Sequence, residues 1–286
     1  MVRFRSMGQA EAGTQRSDAA AAGKDEAMSR WIVQNVPAWW LVGFAVVGIP
    51  ALAVLIQWLL RRQVPSLASG EHNDAVGFLG ATAGVVYAII VGFMVITLWE
   101  NYVAAGDSVQ NETVSLSDLV QFSGSFGPAA QKEIRQLVVQ YGNSVTTTEW
   151  QAMAKGDASP EAQKDFDQLI TAVQSLRVRD PAQQEVLGAM LTQVDEAGRE
   201  RQQRLELSGP QIPAPMWLAV ILTSVVTLVF CLLFDVKSAW LRYFMMAAVA
   251  AVISATLVLA LLLEYPFSGT IEVNPAPFEH VAGELL

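Results

Sequence analysis

From Ala75 to Leu98 the chain runs for 24 residues with no ionisable group except the phenol of Tyr87. As a helix, rising 1.5 Å per residue, such a run measures about 36 Å and crosses the ~30 Å hydrocarbon core of a bilayer. Inside hydrocarbon the backbone must satisfy its own hydrogen bonds, so a lone apolar run of this length has only the helix open to it. Three further runs meet the same criterion: 38–60, followed at once by Arg61 and Arg62, then 215–234 and 240–263. Tryptophans 39, 40, 58, 99, 217 and 240 mark their ends, where an aromatic belt places them. Charged residues make up 16% of the chain, against about 25% in soluble domains, which again points to the membrane. The first run lies too far from the start, and is too long, for a cleaved signal peptide, so it reads as a retained anchor.

The fold class that follows is all-α: four transmembrane helices, with a helical soluble domain inserted between the second and third spans. Residues 1–30, rich in Ala, Gly, Ser and charge, read as a disordered tail. Residues 31–99 form the first membrane hairpin, with a short loop at 61–74, and residues 215–263 the second, with a loop at 235–239. Residues 264–286 are a C-terminal tail, and YPFSG at 265–269 is a turn. Between the hairpins, 100–214 is acidic, with nine Lys and Arg against sixteen Asp and Glu. Its apolar residues repeat at three and four: Ile134, Leu137, Val138, Tyr141 and Val145, then Phe166, Leu169, Ile170, Val173 and Leu176, then Leu187, Met190, Leu191 and Val194. A weaker helical stretch covers 103–122. Breaks fall at Ser123-Gly124 to Pro128, at Gly156 to Pro160 and at Asp180-Pro181.

Charge and reactive side chains exclude several functions. A net charge of −9 argues against nucleic acid as partner. Cys231, the lone cysteine, lies in an apolar run and offers neither a disulfide nor a thiolate metal site. His72, Asn73 and Asp74 are adjacent and do not converge easily on a cation; Asn73 or Asp74 reads as a helix cap. No metal or cofactor is expected. The chain carries no phosphate loop, nucleophile elbow or zinc motif, so the expectation is that it is not an enzyme. No Asp, Glu, Lys or Arg sits near the middle of any span, which speaks against a proton-coupled transporter.

The second span carries two faces. Gly77, Gly80, Gly84, Ala88 and Gly92 form a smooth stripe at helical spacing. Each glycine costs roughly 1 kcal/mol in a helix, and small residues let backbones approach where helices associate in lipid. The stripe is therefore read as a packing face, against this chain or a second subunit. On the other side lie Phe78, Val85, Ile89 and Phe93, candidates either to line a pore as a dewetting constriction or to face lipid or pack within the chain. Arg201 and Arg204 lie three apart before the third span and are candidates for anions or lipid headgroups; ion pairs with Glu196 and Glu200 are the plainer alternative. The Lys and Arg bias of the short loops favours placing them inside and the 100–214 domain outside, whereas Lys24, Arg30, Arg199, Arg201 and Arg204 pull the other way.

An ordered set of residues then suggests a family: His72-Asn73-Asp74 with Phe78, Tyr87, Gly92-Phe93, Trp99-Glu100, Glu149-Trp150, Arg201 to Leu205, Pro215 with Trp217, and Pro266 to Gly269. Together, over about 31–275, they resemble the bestrophin-like family of bacterial membrane proteins of unassigned function. Bestrophins proper are pentameric anion channels with four membrane helices per subunit, a second span lining an apolar neck, an acidic calcium clasp and a cytosolic domain. The resemblance implies a homo-oligomer in the bacterial plasma membrane, in contact with membrane lipids and passing a chloride-like anion along the second span. The spacing of Phe78, Val85, Ile89 and Phe93 matches no neck motif residue by residue, and no acidic run like the clasp is present. From a different class comes the alternative: a non-conducting anchor or sensor presenting its acidic domain to a protein partner.

Overall fold

The computed structural model describes residues 28–63 and 73–284, all of them helical or irregular. Most of the expected N-terminal tail, most of the first loop and His72 lie outside the described residues. After a helical stretch α1 (28–35) come α2 (Ala38–Gln63), α3 (Asn73–Ser123), α4 (Pro128–Ser144) and α5 (Trp150–Lys155). These are followed by α6 (Pro160–Gln174), α7 (Pro181–Leu207), α8 (Ala214–Leu233), α9 (Ala239–Leu263) and α10 (Ala276–Glu284). Four of them, α2, α3, α8 and α9, are long and apolar enough to cross a membrane.

Local chemistry sets the boundaries. Ser159 accepts a hydrogen bond from the Ala162 amide and Asp180 from the Gln183 amide, with Pro160 and Pro181 in the first turns they cap. Gly127, at φ 100°, makes the turn before Pro128, and Gly156, at φ 85°, ends α5 in the left-handed conformation that only glycine adopts freely. Pro50 lies inside α2 and lacks the N–H that would bond Val46; the wider π turn Phe44–Gly48 lies just before it. Ser254 Oγ of α9 donates to the Ala45 carbonyl within that turn, at 2.5 Å.

α3 differs from expectation in length. The span at 75–98 and the weaker helix at 103–122 are one continuous 51-residue helix. Residues 99–102 between them hold no Gly or Pro, and Gly106 just beyond costs a helix about 1 kcal/mol, too little to end it. At 1.5 Å per residue α3 measures about 76 Å, more than twice the hydrocarbon thickness.

The described chain divides into two compact units, each considered by itself. The first comprises the residues up to Leu98 with Ile212–Glu264, and so holds the membrane-length part of α3 with α2, α8 and α9. In it Ala53, Met246 and Ala250 pack with Val54, Leu228 and Leu232, while large apolar side chains such as Leu218 and Trp240 stay exposed. The second unit comprises Trp99–Gln211 and the chain from Tyr265 on. Its core gathers Leu116, Leu119, Ile134, Tyr141, Met153, Leu169 and Met190. The segment after α9 supplies Phe267, Val273 and Phe278 to this core, and Phe267 meets Trp150 edge-on at 5.4 Å. A helical period cannot reveal such a contribution, because most of that segment is not helical.

Candidate functional site

In the first unit α3 separates its faces sharply. Tyr87, Val91, Met94 and Leu98 are buried, and the Tyr87 hydroxyl lies 2.6 Å from Thr256 Oγ1 of α9. Phe78, Val85, Ile89, Phe93 and Ile96 fall on another face and are all more than half exposed, Phe78 at 73% and Phe93 at 66%. Among the described residues nothing covers this apolar row.

The smooth stripe splits in two. A Cβ at Gly77 would come 3.3 Å from the Phe234 ring, and one at Gly80 would come 3.1 Å from Phe230 Cβ, so these glycines admit α8 closely. A Cβ at Gly84 or Gly92 would meet nothing within 4 Å, and Ala88 is exposed. The first half of the stripe thus has its neighbour in this chain; the second half has none among the described residues.

Polar side chains pin the ends of the spans. Asn73 donates to the Asp235 carbonyl at 2.6 Å and accepts from the Asp235 amide at 2.9 Å, holding the α8–α9 connection to the start of α3. Arg61 meets Asp235 Oδ1 at 2.5 Å and the Phe234 carbonyl at 2.9 Å. At Glu264, buried just after α9, the Trp217 indole donates at 2.8 Å.

In the second unit a buried charge network joins three elements. Arg204 Nε meets Glu112 Oε2 at 2.9 Å, and its Nη2 meets Glu149 Oε2 at 2.9 Å; all three side chains are fully buried. Arg201 Nη2 bonds Glu149 Oε1 at 2.5 Å and its Nη1 bonds Gln163. Tyr141 donates its hydroxyl to Glu112. Glu149 closes a π turn, Val145–Glu149, and both it and Trp150 are buried there. Burial works against the Arg204 charge, but Glu112, then Tyr141 and Glu149, more than reverse this and hold it protonated beyond the ordinary arginine range. Burial and then Glu112 push the Tyr141 phenol well above its usual value, so it stays a donor. Two guanidiniums face two carboxylates, which offsets much of the cost of burying charge.

The sequence profile of the bestrophin-like domain matches residues 47–278. The chain belongs to the bestrophin-like family. Two crystal structures of single-substitution variants of a bacterial bestrophin homologue from Klebsiella pneumoniae resemble it, at TM-scores of 0.67 and 0.68 and identities of 16% and 17%. The matches cover 86% and 84% of this chain and 97% of each of those chains. A crystal structure of a membrane protein variant matches at TM-score 0.64 and 16% identity, over 83% of this chain and 97% of that one. At such identities the likeness shows the shared fold. Curated proteins give no match.

Several of the residues that carry the bestrophin-like resemblance make structural contacts, whereas Phe78 and Phe93 belong to the exposed row. Asn73 holds the Asp235 backbone, Tyr87 joins α3 to α9, and Glu149, Arg201 and Arg204 build the charge network. The Pro266–Gly269 turn is closed by the Ser268 amide on the Tyr265 carbonyl and packs Phe267 on Trp150. Arg201 and Arg204, candidates for anions or headgroups, are turned into the core instead, and their carboxylates are not Glu196 or Glu200; it is Arg199 that pairs with Glu196. Glu112 and Tyr141 were not singled out from sequence, although Glu112 lies at helical spacing between Val109 and Leu116, a carboxylate on an apolar face. Among the described residues no group of three or more His, Cys, Asp or Glu is placed to hold a metal.

Proposed function

We propose that this bestrophin-like protein is a homo-oligomeric ion channel of the cell membrane, with the exposed row Phe78, Val85, Ile89 and Phe93 of α3 lining the pore. The observation carrying this reading is the split of α3, packed against its own chain on one face and bare and apolar on the other over about five turns. Apolar rings of this kind gate ions by dewetting. In the same reading the second unit is the helical domain outside the bilayer.

The family resemblance implies a chloride-like anion. A second reading, a cation, is favoured by α3 itself: it has no Lys or Arg, and beyond Leu98 it exposes Glu100 and Asp107. Carboxylate rings select cations. Purified protein in liposomes, given opposed KCl gradients, tests both points. Flux that changes in Phe93→Ala supports the α3 pore, and the sign of the reversal potential chooses the ion. Absence of flux from folded oligomer would overturn the channel and leave the anchor that presents an acidic domain.

A further inference from the structure

A cavity of about 300 Å³ lies among α3, α8 and α9, walled by Gly77 and Gly80, by Phe230 and Phe234, and by Met245 and Arg242. That volume is many times the roughly 10–15 Å³ that a single water needs on the same measure. The wall is mostly apolar, and among the described residues Arg242 is its only charged member. Arg242 lies in the first turn of α9, so the cavity reaches the end of a span, where headgroups lie.

The arginine is incompletely used. Its two bonds, to Asp235 Oδ1 and the Val236 carbonyl, both at 3.4 Å, come from Nη1. Among the described residues its Nε–H is buried with no partner and Nη2 makes no hydrogen bond. Nε and Nη2 form one edge of the guanidinium, the fork that takes two oxygens of a phosphate. An unpaired buried donor is costly, so this edge favours an incoming acceptor. Charge points the same way. Asp235 already accepts from Arg61 and Arg242 together, and the described residues around this connection set Arg61, Arg62, Lys237 and Arg242 against Asp74 and Asp235.

We propose that the cavity binds one acidic phospholipid per subunit, with its phosphate on the free edge of Arg242 and acyl carbons against the glycine floor of α3. A bare inorganic anion would leave the apolar wall wet, and a zwitterionic lipid would not answer the excess positive charge. Binding at this point ties α3 to the α8–α9 hairpin.

The test is thermal unfolding of the full chain in detergent, with added phosphatidylglycerol, phosphatidylcholine or inorganic phosphate, beside native mass spectrometry of retained lipid. Phosphatidylglycerol raises the midpoint and about one molecule stays per subunit, by mass action on the folded state. Arg242→Gln weakens this response about tenfold or more, as loss of a charged hydrogen bond does. Val249→Phe, which fills the cavity from another wall position and leaves every polar group in place, removes it too. Three results would each overturn the site: an equal response to phosphatidylcholine, a full response to phosphate alone, or a phosphatidylglycerol response unchanged in both variants. Lipid-free oligomers whose cavity is cross-linked to a neighbouring copy would overturn it as well.

Discussion

Without the Arg204 guanidinium, Glu112 and Glu149 would share the core of the second unit with only Arg201 to balance them, and of these two carboxylates Arg201 pairs with Glu149 alone. Removing one partner of a buried pair costs about 3–5 kcal/mol. Arg204→Met is therefore expected to lower the unfolding free energy by about that much, read as a fall in the thermal midpoint by circular dichroism; an unchanged midpoint would mean that the network stabilises nothing. Tyr141 adds a pH dependence whose sign is fixed. Its folded pKa is raised above the unfolded value near 10, so its stabilisation is complete below that pH and is lost as pH rises through the folded value. Stability is expected to fall above about pH 10, with a shallower fall in Tyr141→Phe; equal slopes would contradict this. Sequence showed Arg201 and Arg204 as notable but not what they meet. Glu112 and Glu149 lie 92 and 55 positions from Arg204, and no periodicity encodes a contact at that range. Some hydroxyls of the spans were the opposite case, although Ser254 also reaches the Ala45 carbonyl and Tyr87 meets Thr256 on another helix. Thr82, Thr223, Ser224 and Thr227 bond carbonyls of their own helices, as their neighbours alone dictate.

Elements were most legible where a single local rule decides them. Proline at a helix start, a capping Ser or Asp and a left-handed glycine are complete instructions, and the three predicted breaks between 123 and 181 all occur. The four spans were legible from length and apolarity. Continuity was not: whether a helix crosses from apolar to polar sequence depends on packing on both sides of the change, and α3 continues past Leu98 where composition suggested an end. At this scale the glycine stripe makes a prediction. A side chain at Gly80 must displace Phe230, whose Cβ is 3.1 Å from the ideal Cβ position. Gly80→Leu is expected to cost about 1–3 kcal/mol through overpacking and to lower the thermal midpoint of the chain itself. A midpoint equal to that of the parent would show that α8 is not held against α3.

For the whole molecule, the second half of the same stripe decides between a lone subunit and an assembly. A Cβ added at Gly84 would have no described heavy atom within 4 Å, and Ala88 is exposed beside it, yet glycine still costs its helix about 1 kcal/mol relative to alanine. A face that carries this cost and meets nothing among the described residues is what the proposed homo-oligomer would use for a neighbouring subunit, because close approach is what small residues provide in lipid. Gly84→Leu is expected to leave the unfolding free energy of the chain within about 1 kcal/mol of the parent, in contrast to Gly80→Leu, while changing the oligomer mass in light scattering and native mass spectrometry. Chain stability and assembly are thus expected to respond to different glycines one helical turn apart, so the two variants form a matched pair. If Gly84→Leu retains the parental oligomer, the bare half of the stripe faces lipid and α3 does not approach a pore axis through that side.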